Sequence, residues 1–92
     1  MSRTLKEAKN SIILDINKLF IENNFPLLPI DEDPIQGDLS IICFPGAKTL
    51  KKSPEKVAHE VSKILSNIKF IKDIFVVKAF CNIVLDWDNL VM

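Results

Sequence analysis

The chain has 92 residues and a mass of 10.4 kDa, with 48% hydrophobic and 26% charged residues, which is globular composition and too short for a Rossmann enzyme or a TIM barrel. Twelve basic residues balance twelve acidic ones, so the basic excess that usually marks bulk binding of nucleic acid is absent. The balance is uneven along the chain: Asp31, Glu32, Asp33 and Asp38 make an acidic segment, and seven lysines face only Glu55 and Glu60 between Lys48 and Lys72.

The first element is expected to be a helix from Thr4 to Asn24. Leu5, Ala8, Ile12, Ile16 and Leu19 recur at helical spacing, Ile13 and Phe20 widen the stripe, and Lys6, Lys9, Asp15, Lys18 and Glu22 fall on the other side. Asn23-Asn24 is a stop signal, and Pro26 prevents continuation. Phe25 to Ile30 carries two prolines and is at best an edge strand. Asp31 to Gly37 has loop chemistry. Asp38 to Phe44 reads as a strand that Pro45-Gly46 breaks, and Ala47 to Lys52 as a basic loop.

Ser53-Pro54-Glu55 has the residues of a helix start: a serine N-cap, a proline needing no donor at N1, and an acid at the positive end of the dipole. Val57, Val61, Ile64, Leu65 and Ile68 supply the buried face of that helix. Ile71 to Ala79 and Phe80 to Trp87 are dense in Val, Ile and Phe and read as two strands. The order is helix, two strands, helix, two strands. The fold class expected is α+β: a two-layer sandwich with a four-stranded antiparallel sheet, two helices on one face and water on the other.

Alternation along the last strand separates two faces. Cys81, Ile83, Leu85 and Trp87 form the apolar, helix-covered side. Phe80, Asn82, Val84 and Asp86 form the open side, so Phe80 and Asn82 are expected to stand in solvent. An exposed ring beside an amide is one way to hold an unstacked base, the ring stacking and the amide offering donor and acceptor. The alternative is that Phe80 packs at the sheet edge and Asn82 tolerates water. Lys48, Lys51 and Lys52 are candidates for phosphate contact, against the alternative of a solvated loop.

Cys43 and Cys81 sit in apolar runs without CxxC spacing and are expected to be buried free thiols in a reducing, cytoplasmic compartment. His59 has no histidine or serine partner and reads as a surface residue; no metal site is expected. Two glycines in the whole chain leave no phosphate loop, and no His/carboxylate cluster offers acid–base catalysis, so the chain alone is not expected to be an enzyme.

Gly37-Asp38-Leu39-Ser40-Ile41, then Lys51-Lys52-Ser53-Pro54 with Val57-Ala58-His59-Glu60 behind it, then Phe80-Cys81-Asn82-Ile83, form an ordered set. Over residues 33 to 91 this set resembles the N-terminal additional domain of arginyl-tRNA synthetases. The resemblance implies that residues 1–92 form one domain that grips the outer, D-loop corner of tRNA, with Phe80 as the stacking ring and Asn82 as the amide. It implies tRNA and a catalytic domain as partners, and no cofactor for this chain; an ATP- and magnesium-dependent parent would ligate arginine to tRNA. The chain is then an excised or naturally separate domain, or a truncated parent. Where that family usually has Ala-Gly-Pro-Gly or Asn-Gly-Pro, this chain has Val77-Lys78-Ala79-Phe80, which lacks glycine and alters the turn. Gly37 is expected to free a turn and Asp38 to hydrogen-bond it. A different class of function stays open: a protein-interaction or dimerisation module using Phe80 and Val84 on the open sheet, without RNA affinity.

Overall fold

The computed structural model describes residues 5–90. Helix α1 spans Leu5–Glu22 and buries Ala8, Ile12, Ile16 and Phe20, four residues at successive turns of one face. It ends where Asn24 takes a left-handed conformation, φ 55°, which asparagine tolerates well. Phe25 packs back on Phe20, with ring centroids 5.2 Å apart. Strand β1 is only Ile30–Asp31, because Pro26 and Pro29 cannot donate to a ladder. Strand β2 is Leu39–Ile42.

The chain then departs from the expectation of a loop. Phe44–Leu50 forms a short helix, α2, with Pro45 in its first turn. Proline is tolerated there because the first turn has no use for its missing N–H. Gly46 is buried, and a Cβ at that position would lie 3.0 Å from a Leu28 methyl and 3.1 Å from a Val57 methyl, so the glycine permits close approach. Lys51, at φ 55°, caps α2.

Helix α3, Pro54–Leu65, starts as the sequence predicts: the Ser53 side chain accepts the N–H of Lys56 at 3.2 Å. It buries Val57, Ala58, Val61 and Leu65, with Ile64 partly covered; the helix ends before Ile68, which packs on the core from the connection that follows. Strands β3 (Ile71–Val77) and β4 (Phe80–Leu85) follow, and a final turn of helix, α4, spans Trp87–Leu90.

The sheet is antiparallel throughout, in the order β1-β2-β4-β3. Leu39 pairs with Ile83 and Ile41 with Cys81, and all four are buried under α1 and α3. The expected two-layer α+β sandwich is therefore the observed fold, with α2 and α4 as additions to it. Trp87 is not in β4 as expected but opens α4, and it still packs, half-buried, against the core as the covered side requires. Both cysteines are free and buried in the core. No helix among the described residues is long and apolar enough to cross a membrane.

Candidate functional site

The register of the sheet assembles the uncovered face row by row. Asp31 pairs with Ser40, Ser40 with Asn82, and Asn82 with Phe75, so these four side chains cross the sheet as one row. The next row holds Ile42, Phe80 and Val77. Paired side chains on one face lie close enough to touch, so the surface carries a polar strip beside an apolar one.

The segment after β1 folds over the polar strip. It is pinned at its start by an Asx turn in which the Asp33 N–H donates to Asp31 Oδ1 at 3.0 Å. Together they enclose a groove of about 410 Å³. Ser40 and Asn82 form its floor, Val77 and Phe80 one side, and Asp31, Pro34, Ile35 and Gln36 the other.

This arrangement corrects one expectation. Phe80 is exposed, at 38%, but Asn82 is only 6% exposed. Asn82 sits in the interior strand β4 between the paired Ser40 and Phe75, on the floor of the groove, and strand alternation alone does not report how far such neighbours cover a side chain. Asn82 still faces the groove and not the helices. No buried side-chain N or O atom among the described residues lacks a partner, so its carboxamide is not sealed off as an orphaned polar group.

Phe80 does not stand alone. Phe44, the first residue of α2, meets it edge-on, with centroids 5.9 Å apart and planes at 80°. Phe44 is 52% exposed, so the groove ends in an aromatic pair open to water. Sequence reasoning missed Phe44 by placing it in a strand. The signal that could have found it is Pro45, a residue suited to the first turn of a helix.

The hairpin that delivers Phe80 has a two-residue loop, Lys78-Ala79, between the paired Val77 and Phe80. Lys78 supplies the positive φ, 54°, that the loop needs. A positive φ in a two-residue hairpin loop suits the right-handed twist of the flanking strands. Ala79 tucks in, nearly fully buried, and its carbonyl accepts the Cys43 N–H at 3.0 Å.

The three candidate phosphate-binding lysines do not act as one loop. Lys48 lies within α2, one turn beyond Phe44 and on the same side of that helix. Lys51 is the left-handed cap. Lys52 turns away to pair with Glu60, in a shallow depression it shares with Lys56, His59 and Lys63. His59 is exposed.

Gly37 is at φ 81°, and a Cβ there would sit 3.0 Å from the Ile83 carbonyl oxygen. Its freedom serves a turn, as expected. Asp38 does something other than bond that turn. Its Oδ2 accepts the Leu85 N–H at 2.8 Å and its Oδ1 accepts the Trp87 indole N–H at 3.2 Å. The residue ties the start of β2 to the end of β4.

Burial pushes the Cys81 thiol up to about 12, with Cys43 as a like-charged neighbour adding to the effect, and pushes Cys43 up to about 11. Neither is a nucleophile at neutral pH. Among the described residues, no group of three His, Cys, Asp or Glu side chains is placed to hold a metal ion.

Comparison with known proteins relates the fold and the sequence to a family. The solved arginyl-tRNA synthetase of Thermus thermophilus superposes with a TM-score of 0.72 at 24% identity, a likeness of fold. The match covers 87% of this chain and 14% of that one, so this chain spans about a seventh of that enzyme's length. No curated protein matches the sequence. The model of the arginyl tRNA synthetase N terminal domain matches residues 4–85, nearly the whole chain, and the chain belongs to that family.

Proposed function

We propose that this chain is the tRNA-binding N-terminal domain of an arginyl-tRNA synthetase and that its uncovered groove holds an unstacked base at the D-loop corner of tRNA. One observation carries the reading: an exposed Phe80 ring stands over a groove whose floor is the Asn82 amide, on the sheet face that no helix covers. The ring stacks on the base, and the amide offers both a donor and an acceptor to its edge. Lys48 and Lys51 are exposed on and just beyond α2, which supports a role for them in contacting phosphates. Lys52 contributes less, because Glu60 already neutralises it.

The chemistry of ligation, with its ATP and magnesium, belongs to a catalytic domain of the parent, in the cytoplasm. This domain's part is to position the tRNA.

The test is an NMR or gel-shift titration of the chain with tRNA at low salt. The expected result is weak, salt-sensitive binding that Phe80→Ala abolishes and Asn82→Ala weakens. Unchanged spectra at high RNA concentration would remove the idea. The apolar rim of Ile35, Phe44 and Val77, all exposed, favours a second reading, in which the face docks another protein or a second copy. Sedimentation separates the two: dimerisation that Phe80→Asp prevents, with no RNA binding, selects the second.

A further inference from the structure

We propose that Asp31 is a specificity-determining residue of the groove: its carboxylate accepts a hydrogen bond from the exocyclic amine of the base stacked on Phe80, so that adenine, cytosine and guanine are taken in preference to uracil. This rests on the reading of the groove as a base site.

Asp31, Ser40 and Asn82 occupy one row across β1, β2 and β4. With neighbouring strands about 4.8 Å apart, the backbones of Asp31 and Asn82 lie roughly 10 Å from each other. Asp31 stands at one side of the groove and Asn82 on its floor, with Ser40 between them, so a base edge laid along this row meets all three. Phe80 is two residues from Asn82 on the same strand, about 7 Å along the same face, where a ring can stack on the plane of that base.

The three polar groups read different things. The Ser40 hydroxyl and the Asn82 carboxamide each donate and accept, so they tolerate any base edge. A carboxylate only accepts. The Asp33 N–H engages Asp31 Oδ1, which restrains the carboxylate and leaves its second oxygen as the acceptor for a ligand. Three of the four RNA bases carry an exocyclic amine. Uracil presents a single N–H between two carbonyl oxygens, and a carboxylate placed there meets both of them.

The charges at the groove set the direction of the nucleotide. Asp31 makes one rim of the groove negative, and the Lys9 ammonium lies behind it, bonded to the Glu32 carbonyl at 2.7 Å. Lys48, a turn beyond Phe44, and Lys78, in the loop beside Phe80, make the aromatic end basic. Phosphates are repelled from the first and drawn to the second, so the base edge points at Asp31.

The experiment uses RNA hairpins that differ only in one unpaired loop nucleotide, titrated at low salt. Adenosine is compared with purine riboside and guanosine with inosine, each pair differing by the amine. Loss of the amine is expected to weaken binding to the wild-type chain roughly tenfold, the usual scale for a hydrogen bond to a charged group. Asp31→Asn keeps an acceptor for the Asp33 N–H and is expected to bring each pair within about twofold. Equal binding of the paired RNAs, or a preference that survives in Asp31→Asn, overturns the assignment while binding that still depends on Phe80 upholds the base site. Binding that does not depend on Phe80 overturns the base site and the Asp31 assignment together.

Discussion

Asp38 and Trp87, 49 residues apart, meet through a hydrogen bond from the indole Nε1 to the carboxylate Oδ1 at 3.2 Å, while the other oxygen takes the Leu85 N–H at 2.8 Å. One side chain therefore closes the end of β4 and anchors the turn of helix that follows. Hydrogen bonds to a charged group contribute about 1.5–3 kcal/mol each when partly buried. Asp38→Ala is expected to cost about 2–4 kcal/mol in urea unfolding and to shift the emission of the sole tryptophan toward that of a more hydrated indole. A loss under about 0.5 kcal/mol, on the order of an inert surface substitution, would show that the bonds are idle.

Lys78 holds a left-handed conformation, φ 54°, in the hairpin that aims Phe80. A non-glycine residue there carries a cost of about 1–2 kcal/mol. Lys78→Gly is expected to stabilise the chain by about 1 kcal/mol, raising Tm by roughly 4–8 °C for a domain of this size. The same substitution removes a cation beside the groove, so RNA affinity is expected to fall as stability rises. Calorimetry and an RNA titration on the one variant check the opposite signs.

The layers of this fold are legible in the sequence because periodicity reports burial directly. Ala8, Ile12 and Ile16 mark the face of α1, and Cys81, Ile83 and Leu85 mark the covered side of β4. What the sequence conceals lies where one residue type has two physical uses. Pro45-Gly46 reads as a strand breaker, yet proline opens α2 and glycine lets α2 press against Leu28 and Val57. That hid the Phe44 ring. Asn82 reads as solvent-facing by alternation, yet it is nearly buried on the floor of a groove, between Ser40 and Phe75 and lined by a loop distant in sequence. A contact made by a distant loop leaves no local period. Asp38 likewise has the composition of a turn residue, and its partners lie more than forty residues away.

Cys43 and Cys81 set an alkaline limit on stability. An ordinary thiol titrates near 9.0, and burial pushes these to about 11 and about 12. Above pH 9 the unfolded chain gives up these protons more readily than the folded one, so the unfolded state binds fewer protons and stability falls as pH rises. The contribution of the thiols is fully present below about pH 9 and is lost as pH climbs through 11 to 12. Urea midpoints measured from pH 7 to 11 are expected to be level at first and then to decline, and the double variant Cys43→Ala/Cys81→Ala to flatten that decline. At pH 8 a thiol reagent is expected to leave the folded chain unlabelled and to label both sites in urea; rapid labelling of the folded chain would contradict the burial.

Lys48 and Lys52 are four residues apart and sit in different settings. Lys48 is exposed on α2, one turn beyond the ring that meets Phe80. Lys52 is paired with Glu60 and lies in a depression with Lys56 and Lys63. If RNA occupies the groove, a phosphate near the aromatic end meets Lys48 first. Each phosphate that goes unneutralised reduces the slope of log K against log salt by about 0.7–0.9. Lys48→Gln is expected to flatten the slope by most of that amount, and Lys52→Gln by much less, because releasing Glu60 offsets the missing cation. Phe44→Ala adds a control of another kind. Removing the edge-on partner of Phe80 forfeits about 0.5–1.5 kcal/mol of ring packing already made in the free chain, so stability is expected to fall by about that amount with the salt slope unchanged. Equal slopes for both lysine variants would place the phosphates elsewhere on the domain.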